Sequence, residues 1–106
     1  MKRDVVILNE GTTLRAVLPC DIDHHRAKIV RQEIDGAMER NMPRRLVLDF
    51  SEVSFMDSSG IGLIIGRTEQ ARKCGATVEI LGASDELMRL MRICGIERIK
   101  DLYILH

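Results

Sequence analysis

Two serine hydroxyls, Ser58 and Ser59, stand at the predicted start of a helix, directly after the carboxylate of Asp57. All three residues are of types that favour the N-cap position, so capping is their simplest role. If Asp57 caps the helix, the Ser58 hydroxyl is spare and can accept a phosphoryl group. That phosphate would lie at the positive end of the helix dipole but beside the repelling Asp57 carboxylate. Its main effect would therefore be new surface charge.

Three glycines, Gly60, Gly62 and Gly66, crowd the first turns of this predicted helix. A glycine inside a helix costs roughly 0.5–1 kcal/mol relative to alanine. That cost predicts a close approach to the glycines, either by the sheet or by another protein. The glycines also leave room around Ser58 and Ser59 for a kinase active site or a docked partner.

A serine nucleophile is the catalytic alternative for Ser58. The nucleophile elbow has the pattern G-x-S-x-G, but Met56 and Gly60 occupy its two glycine positions, so half of the pattern fails. His24 and His25 begin a helix and have only neighbouring aspartates to orient them. We therefore predict no catalytic residue, and a small serine hydrolase is the third hypothesis. The closing Gly-Lys-Ser/Thr of a P-loop is absent, so the nucleotide signal is weak and no cofactor is predicted.

A second polar cluster lies upstream and resembles a set of metal ligands. It consists of Cys20, Asp21, Asp23, His24 and His25. Adjacent histidines on a helix point about 100° apart, so they seldom share one ion. A polar loop with Asp23 as the N-cap of the next helix explains the cluster more simply, and no metal site is predicted.

The composition indicates one globular domain spanning residues 1–106. The chain has 106 residues, 45% of them hydrophobic, which suffices for a core without disulfides or metals. Aromatic residues make up only 3%, and Lys+Arg and Asp+Glu both number 16. The chain thus lacks the stacking side chains and the basic excess that nucleic acids or anionic membranes favour in a partner. We expect no nucleic-acid and no membrane partner.

Cysteine usage and the N-terminal residues predict a cytoplasmic protein. Cys20, Cys74 and Cys94 are odd in number, widely spaced and form no C-x-x-C pair, as in a reducing compartment. The apolar run at residues 5–8 is too short for a signal peptide, and no run approaches transmembrane length.

Hydrophobic periodicity predicts an α/β fold with a mixed sheet and the order ββαβαβαβ. The predicted elements are strands at 4–8 and 12–18 with a turn at 9–11, a helix from Asp23 to about Arg40, a strand at 46–50, a helix from 57–59 to Gly75, a strand at 76–81, a helix from Ser84 to Gly95 and a strand within 99–105. Ligand sites collect at the carboxyl ends of parallel strands. The loops at 21–25 and 57–60 both follow strands, so we expect them to meet.

The predicted helices carry apolar stripes at spacings of three and four. The first helix has the stripe Ala27, Val30, Ile34, Ala37 and Met38. The third has the stripe Leu87, Leu90, Met91 and Cys94. Charges of both signs on the other face of the first helix indicate a solvated surface.

The run FMDSSGIG at residues 55–62, together with Asp23-His24-His25, resembles the anti-sigma factor antagonists of bacterial sporulation and stress control, which are single STAS domains. The resemblance extends from about residue 4 to about residue 100. In that family the serine directly after the motif aspartate is phosphorylated, and Ser58 matches it. The partner-binding surface that the resemblance implies consists of Asp21, Asp23, His24, Asp57, Ser58, Ser59, Gly60 and Gly62.

The resemblance also implies a function in transcription regulation. The unphosphorylated chain would bind an anti-sigma factor that is also a serine kinase, and so release a sigma factor. Phosphorylation of Ser58 would end binding, and a serine phosphatase would restore it. The chain is then a substrate and effector, not an enzyme. The alternative is a STAS scaffold or regulatory subunit of another signalling or transport assembly.

Two features depart from the family pattern. Cys20 stands where the family usually has glycine, so its backbone is strained if that position needs a positive φ. The sequence ends soon after the last predicted strand, where family members usually continue into a helix. We expect one edge of the core to be uncovered, or covered by a partner or a second copy.

Overall fold

The structure, a computed structural model, describes residues 5–105 as alternating strands and helices. The elements in chain order are β1 (Val6–Glu10), β2 (Thr13–Val17), β3 (Asp21–Ile22), α1 (His24–Asn41), β4 (Arg45–Asp49), β5 (Phe55–Met56), α2 (Ser58–Lys73), β6 (Thr77–Leu81), α3 (Asp85–Ile93), a 3-10 turn (Ile96–Arg98) and β7 (Leu102–Ile104). The predicted order of the longer elements is confirmed.

A five-stranded mixed sheet organises the chain, in the order β1-β2-β4-β6-β7. Strands β1 and β2 form an antiparallel hairpin, whereas β2, β4, β6 and β7 run parallel. The central strand β4 buries Leu46, Val47 and Leu48 on both of its faces. This burial on both faces is the reason for its continuous apolar run. At the edge strand β7, Tyr103 is exposed.

The predicted apolar stripe of α1 enters the core in full, whereas that of α3 does so only in part. The buried residues of α1 are Ala27, Val30, Ile34, Ala37 and Met38, the whole predicted stripe. Helix α2 buries Ile61 and Ile64 and also Arg67, because α1 packs beside it. In α3 the prediction of Cys94 as a core residue is wrong: Cys94 is exposed, since the helix ends at Ile93 and the chain turns away.

The first hairpin turn lies later than the sequence analysis placed it. Glu10 pairs with Thr13, so the turn consists of Gly11 and Thr12 rather than residues 9–11. Gly11 has φ +74, which a two-residue hairpin turn requires and glycine adopts without strain. Residue 4 of the predicted first strand lies outside the described residues.

Strands β3 and β5 form a separate two-stranded parallel ladder that the sequence analysis did not predict. Two residues are too few to show an alternating pattern. Cys20 lies directly before this ladder, and its carbonyl accepts hydrogen bonds from Ser54 N (2.8 Å) and Phe55 N (3.2 Å). Among residues 5–105 only Met42 and Asp101 combine a side chain with a positive φ. Cys20 therefore carries no such strain in place of the family glycine.

Candidate functional site

The β3–β5 ladder brings the N-termini of α1 and α2 together. Asp21 is paired with Phe55 and Ile22 with Met56. The Asp57 N–H donates to the Ile22 carbonyl at 3.3 Å, which extends this pairing to the first residue before α2. Each helix begins within two residues of its short strand. The prediction that the loops at 21–25 and 57–60 meet is thus confirmed.

Each of these helix N-termini is capped by an aspartate. The Asp23 Oδ1 accepts from Arg26 N at 2.8 Å, and the Asp57 Oδ1 accepts from Ser59 N at 2.8 Å. Both aspartates have extended backbones, as N-cap residues do. The predicted Asp23 cap is confirmed, and Asp57 is the cap among the three candidates at 57–59. The two carboxylates lie at neighbouring helix ends.

The Ser58 hydroxyl has no structural task among the described residues. Ser58 is exposed, and its hydroxyl makes no hydrogen bond to any of residues 5–105. Asp57 performs the capping instead, as the sequence analysis allowed. Ser59 differs, because it is half-buried and its N–H is bound to Asp57. The geometry thus leaves Ser58 as the more accessible serine of the pair.

The glycines of α2 are present for different structural reasons. A Cβ placed on Gly60 would collide with the side chain of Met56, which is buried under the start of the helix. By contrast, a Cβ on Gly62 or Gly66 would meet nothing within 4 Å. Packing inside the chain therefore explains Gly60 alone. Gly62 and Gly66 leave an open helix surface to which another backbone can come close.

We expect alanine to have opposite effects at Gly60 and Gly62. Gly60→Ala should lower the free energy of unfolding by about 1–3 kcal/mol, because Met56 must move out of its packed position. Gly62→Ala should raise it by about 0.5–1 kcal/mol through helix propensity. Urea unfolding of the two variants measures both effects. Equal effects at the two positions would contradict this account of the glycines.

A groove of about 330 Å³ runs between α1 and α2 and begins beside Ser58. His24 and Ser59 line the groove at the helix N-termini. Further along, its lining residues are Lys28 and Arg31 from α1 and Gly62, Leu63, Gly66 and Arg67 from α2. We call this feature the basic groove. Its charged lining and the glycines without internal packing occupy the same surface.

An ion pair at the basic groove joins the two helices. Arg67 Nε lies 2.8 Å from Asp35 Oδ1, with Arg67 only 6% exposed and the Asp35 side chain 31% exposed. Burial raises the pKa of the Asp35 carboxyl, while Arg67 and Arg31 act in the lowering direction. Burial lowers the pKa of Arg67. Arg67 Nη1 is buried and has no hydrogen-bond partner in the described part of the chain.

Residues 5–105 contain neither a candidate metal site nor a helix that could span a membrane. No group of three or more His, Cys, Asp or Glu side chains in this range could hold a metal ion. No helix in the same range is both long and apolar enough to cross a bilayer.

The STAS domain family model matches residues 9–103 of the chain. The chain belongs to the STAS domain family. The predicted family and its single α/β domain with a mixed sheet are thereby confirmed.

Several relatives of this STAS domain are anti-sigma factor antagonists. It is 31% identical over 83 residues to the anti-sigma F factor antagonist of Paenibacillus polymyxa, and the alignment covers 78% of this chain and 71% of the relative. It is 30% identical over 102 residues to the anti-sigma-B factor antagonist of Bacillus subtilis, covering 96% and 92% of the two chains.

Solved structures show the same fold. The unphosphorylated anti-sigma factor antagonist SpoIIAA has a TM-score of 0.75 at 21% identity, covering 96% of this chain and 87% of that one. The phosphorylated SpoIIAA of Bacillus has a TM-score of 0.73 at 22% identity, covering 96% and 91%.

The STAS domain brings the predicted site residues to one end of the molecule. Asp21, Asp23, His24, Ser58 and Gly62 are exposed, Asp57 and Ser59 are half-buried, and Gly60 is buried. Gly60 therefore shapes the surface through its packing on Met56. Contact of the others with a partner stays a prediction.

Sequence reasoning missed the pair of Asp35 and Arg67. The charged face of α1 was interpreted as solvated, yet part of it faces α2 across the basic groove. A signal was present in α2: Arg67 follows Leu63 and Ile64 at helical spacing, on an otherwise apolar face. A charge at such a position predicts a buried partner, because an unpaired buried charge is costly.

Proposed function

We propose that this STAS domain is an anti-sigma factor antagonist that phosphorylation of Ser58 switches off. The observation that carries the proposal is the exposed Ser58 hydroxyl, which Asp57 leaves without a capping role. The names of the relatives support the same function. The partner is an anti-sigma factor with serine kinase activity, and its binding to the unphosphorylated chain releases a sigma factor.

The proposed switch is a phosphoryl transfer from ATP to Ser58. A bond forms between Ser58 Oγ and the γ-phosphorus, the bond from that phosphorus to the bridging oxygen breaks, and ADP leaves. A base of the kinase takes the hydroxyl proton. The phosphoserine carries a charge of about −1.5 to −2 at pH 7. A serine phosphatase hydrolyses the ester and restores the binding form.

Charge explains how the phosphate ends binding. Asp57 and Asp23 already hold two carboxylates at the adjoining helix N-termini. The added phosphate makes this surface strongly anionic, and like charges held at an interface cost several kcal/mol. Burying such a charge without a paired cation adds a desolvation cost. Binding is lost even though the fold of the domain is unchanged.

The chain itself acts as substrate and effector on this proposal. Ser58 has no hydrogen bond to a histidine of the described residues, so it lacks an activating base. The base and the nucleotide site belong to the kinase. Because sigma factors and ATP are found in the cytoplasm, this function requires a cytoplasmic protein.

Peptide mass spectrometry on the chain recovered from its own cells tests the proposal. We expect one added phosphoryl group on Ser58 in part of the population. Phosphate on Ser59 alone would mean that the surface is right and the acceptor wrong. If no growth condition yields phosphate, the switch is wrong, and a constitutive STAS scaffold in another assembly becomes the better hypothesis.

A further inference from the structure

We propose that the basic groove between α1 and α2 binds an acidic segment of the anti-sigma factor, with a carboxylate at Arg67. The identity of this partner rests on the proposed function. The inference itself concerns a second contact, along the helices and away from the Ser58 hydroxyl. It assigns roles in recognition to Arg67, Lys28 and Arg31.

The buried guanidinium of Arg67 is the main observation. Arg67 lines the groove, is 6% exposed and has its Nη1 buried without a hydrogen-bond partner in residues 5–105. Asp35 Oδ1 lies 2.8 Å from the Nε of this group. A buried donor left without an acceptor is unfavourable, and a ligand acceptor removes that cost. The planar guanidinium fork suits a carboxylate in particular.

The charge of the lining favours the same ligand. Lys28 and Arg31 are exposed on α1 along the groove that Arg67 lines from α2. The sequence as a whole has 16 basic and 16 acidic residues, so this concentration of cations is local. Exposed cations at the rim of a site steer an acidic partner and raise its association rate.

The glycines of α2 give the segment room to approach. Gly62 and Gly66 line the groove one helical turn apart, and a Cβ on either would meet nothing within 4 Å. A partner backbone can therefore come closer to α2 here than to a helix covered by side chains. A segment in the groove would also continue the surface that carries Ser58, because Ser59 and His24 line its end.

Charge reversal at the exposed rim tests the groove with both residues of its buried pair, Asp35 and Arg67, in place. The anti-sigma factor of the same organism is titrated with the wild-type chain and with Lys28→Glu, Arg31→Glu and Arg40→Glu. Arg40 is the matched control, since it is exposed on the same helix and about 18 Å along its axis from Lys28. Thermal melts check that each variant is folded.

We expect Lys28→Glu and Arg31→Glu each to weaken the affinity about 10-fold or more, mainly through slower association. Arg40→Glu should stay within about twofold of the wild type, as surface substitutions outside a site do. Added salt should slow association of the wild type more than of Lys28→Glu. A single Asp→Lys or Glu→Lys change in the anti-sigma factor should restore binding to Lys28→Glu.

Three results would overturn the inference, and they distinguish its failure from the failure of the proposed function. If all three variants bind like the wild type while Ser58→Asp does not, the groove is wrong and the switch stands. If Lys28→Glu weakens binding but no partner charge reversal restores it, the acidic segment is wrong. If neither Ser58→Asp nor Lys28→Glu changes binding, the proposed function fails together with the inference.

Discussion

Replacement of Ser58 by aspartate is expected to weaken the affinity for the anti-sigma factor about 100-fold or more. The reason is the charge already present, since Asp57 and Asp23 cap the two adjoining helices. A third carboxylate at this surface brings a like-charge cost of several kcal/mol in the complex, and every 1.4 kcal/mol is a factor of about ten. Isothermal titration with the purified partner measures the loss.

Two control variants separate charge from shape at Ser58. Asparagine has the size of aspartate without its charge, so Ser58→Asn should keep most of the affinity, and Ser58→Ala should bind like the wild type. Ser58→Asp places an acid in the first turn of α2, where it stabilises a helix by about 0.3–1 kcal/mol. Its folded state should therefore be intact. Equal losses in the aspartate and asparagine variants would contradict the charge mechanism.

Substitutions in the ion pair of Asp35 and Arg67 should have the largest effects on stability. The loss of Asp35 should cost more than the loss of Arg67. Asp35→Asn leaves the guanidinium buried without its counter-ion and should lower the free energy of unfolding by about 3 kcal/mol. Arg67→Met leaves a carboxylate whose side chain is 31% exposed and can be hydrated. That variant should lose only about 1 kcal/mol. Urea unfolding measures both.

The double variant Asp35→Asn/Arg67→Met completes the comparison. Removing the second partner takes away the unpaired charge, so the double variant should be more stable than Asp35→Asn alone. We expect a coupling energy of about 2 kcal/mol between the two positions. Additive losses would mean that the two side chains do not stabilise each other across the helices. The ion pair would then have no part in holding the basic groove.

The fold could be predicted wherever burial follows a regular period. The continuous apolar run of β4 reflects burial on both faces of the strand, whereas the stripe of α1 reflects burial on one face, and the structure has both. Strands β3 and β5 could not be predicted, because two residues carry no period. They are nonetheless the elements that bring the helix N-termini with Asp23 and Asp57 together.

The site could be predicted only in part, because some of its features are local and others depend on how the helices pack. Residue types placed the helix cap within Asp57, Ser58 and Ser59, because capping is a local interaction, and the structure shows that Asp57 provides it. The sequence could not show that Gly60 and Gly62 have different roles. Gly60 packs against Met56, whereas the space beside Gly62 is open, and this difference depends on the three-dimensional packing. The basic groove was missed because it depends on how α1 faces α2, which the sequence of either helix leaves open.

The most direct measurement compares the phosphorylated and unphosphorylated chains as ligands of the anti-sigma factor. The phosphorylated form is prepared with the kinase and ATP, its phosphate is mapped to Ser58, and both forms are titrated under identical salt conditions. We expect tight binding of the unphosphorylated chain and an affinity lower by about 100-fold for the phosphorylated one. Equal affinities of the two forms would contradict the proposed switch.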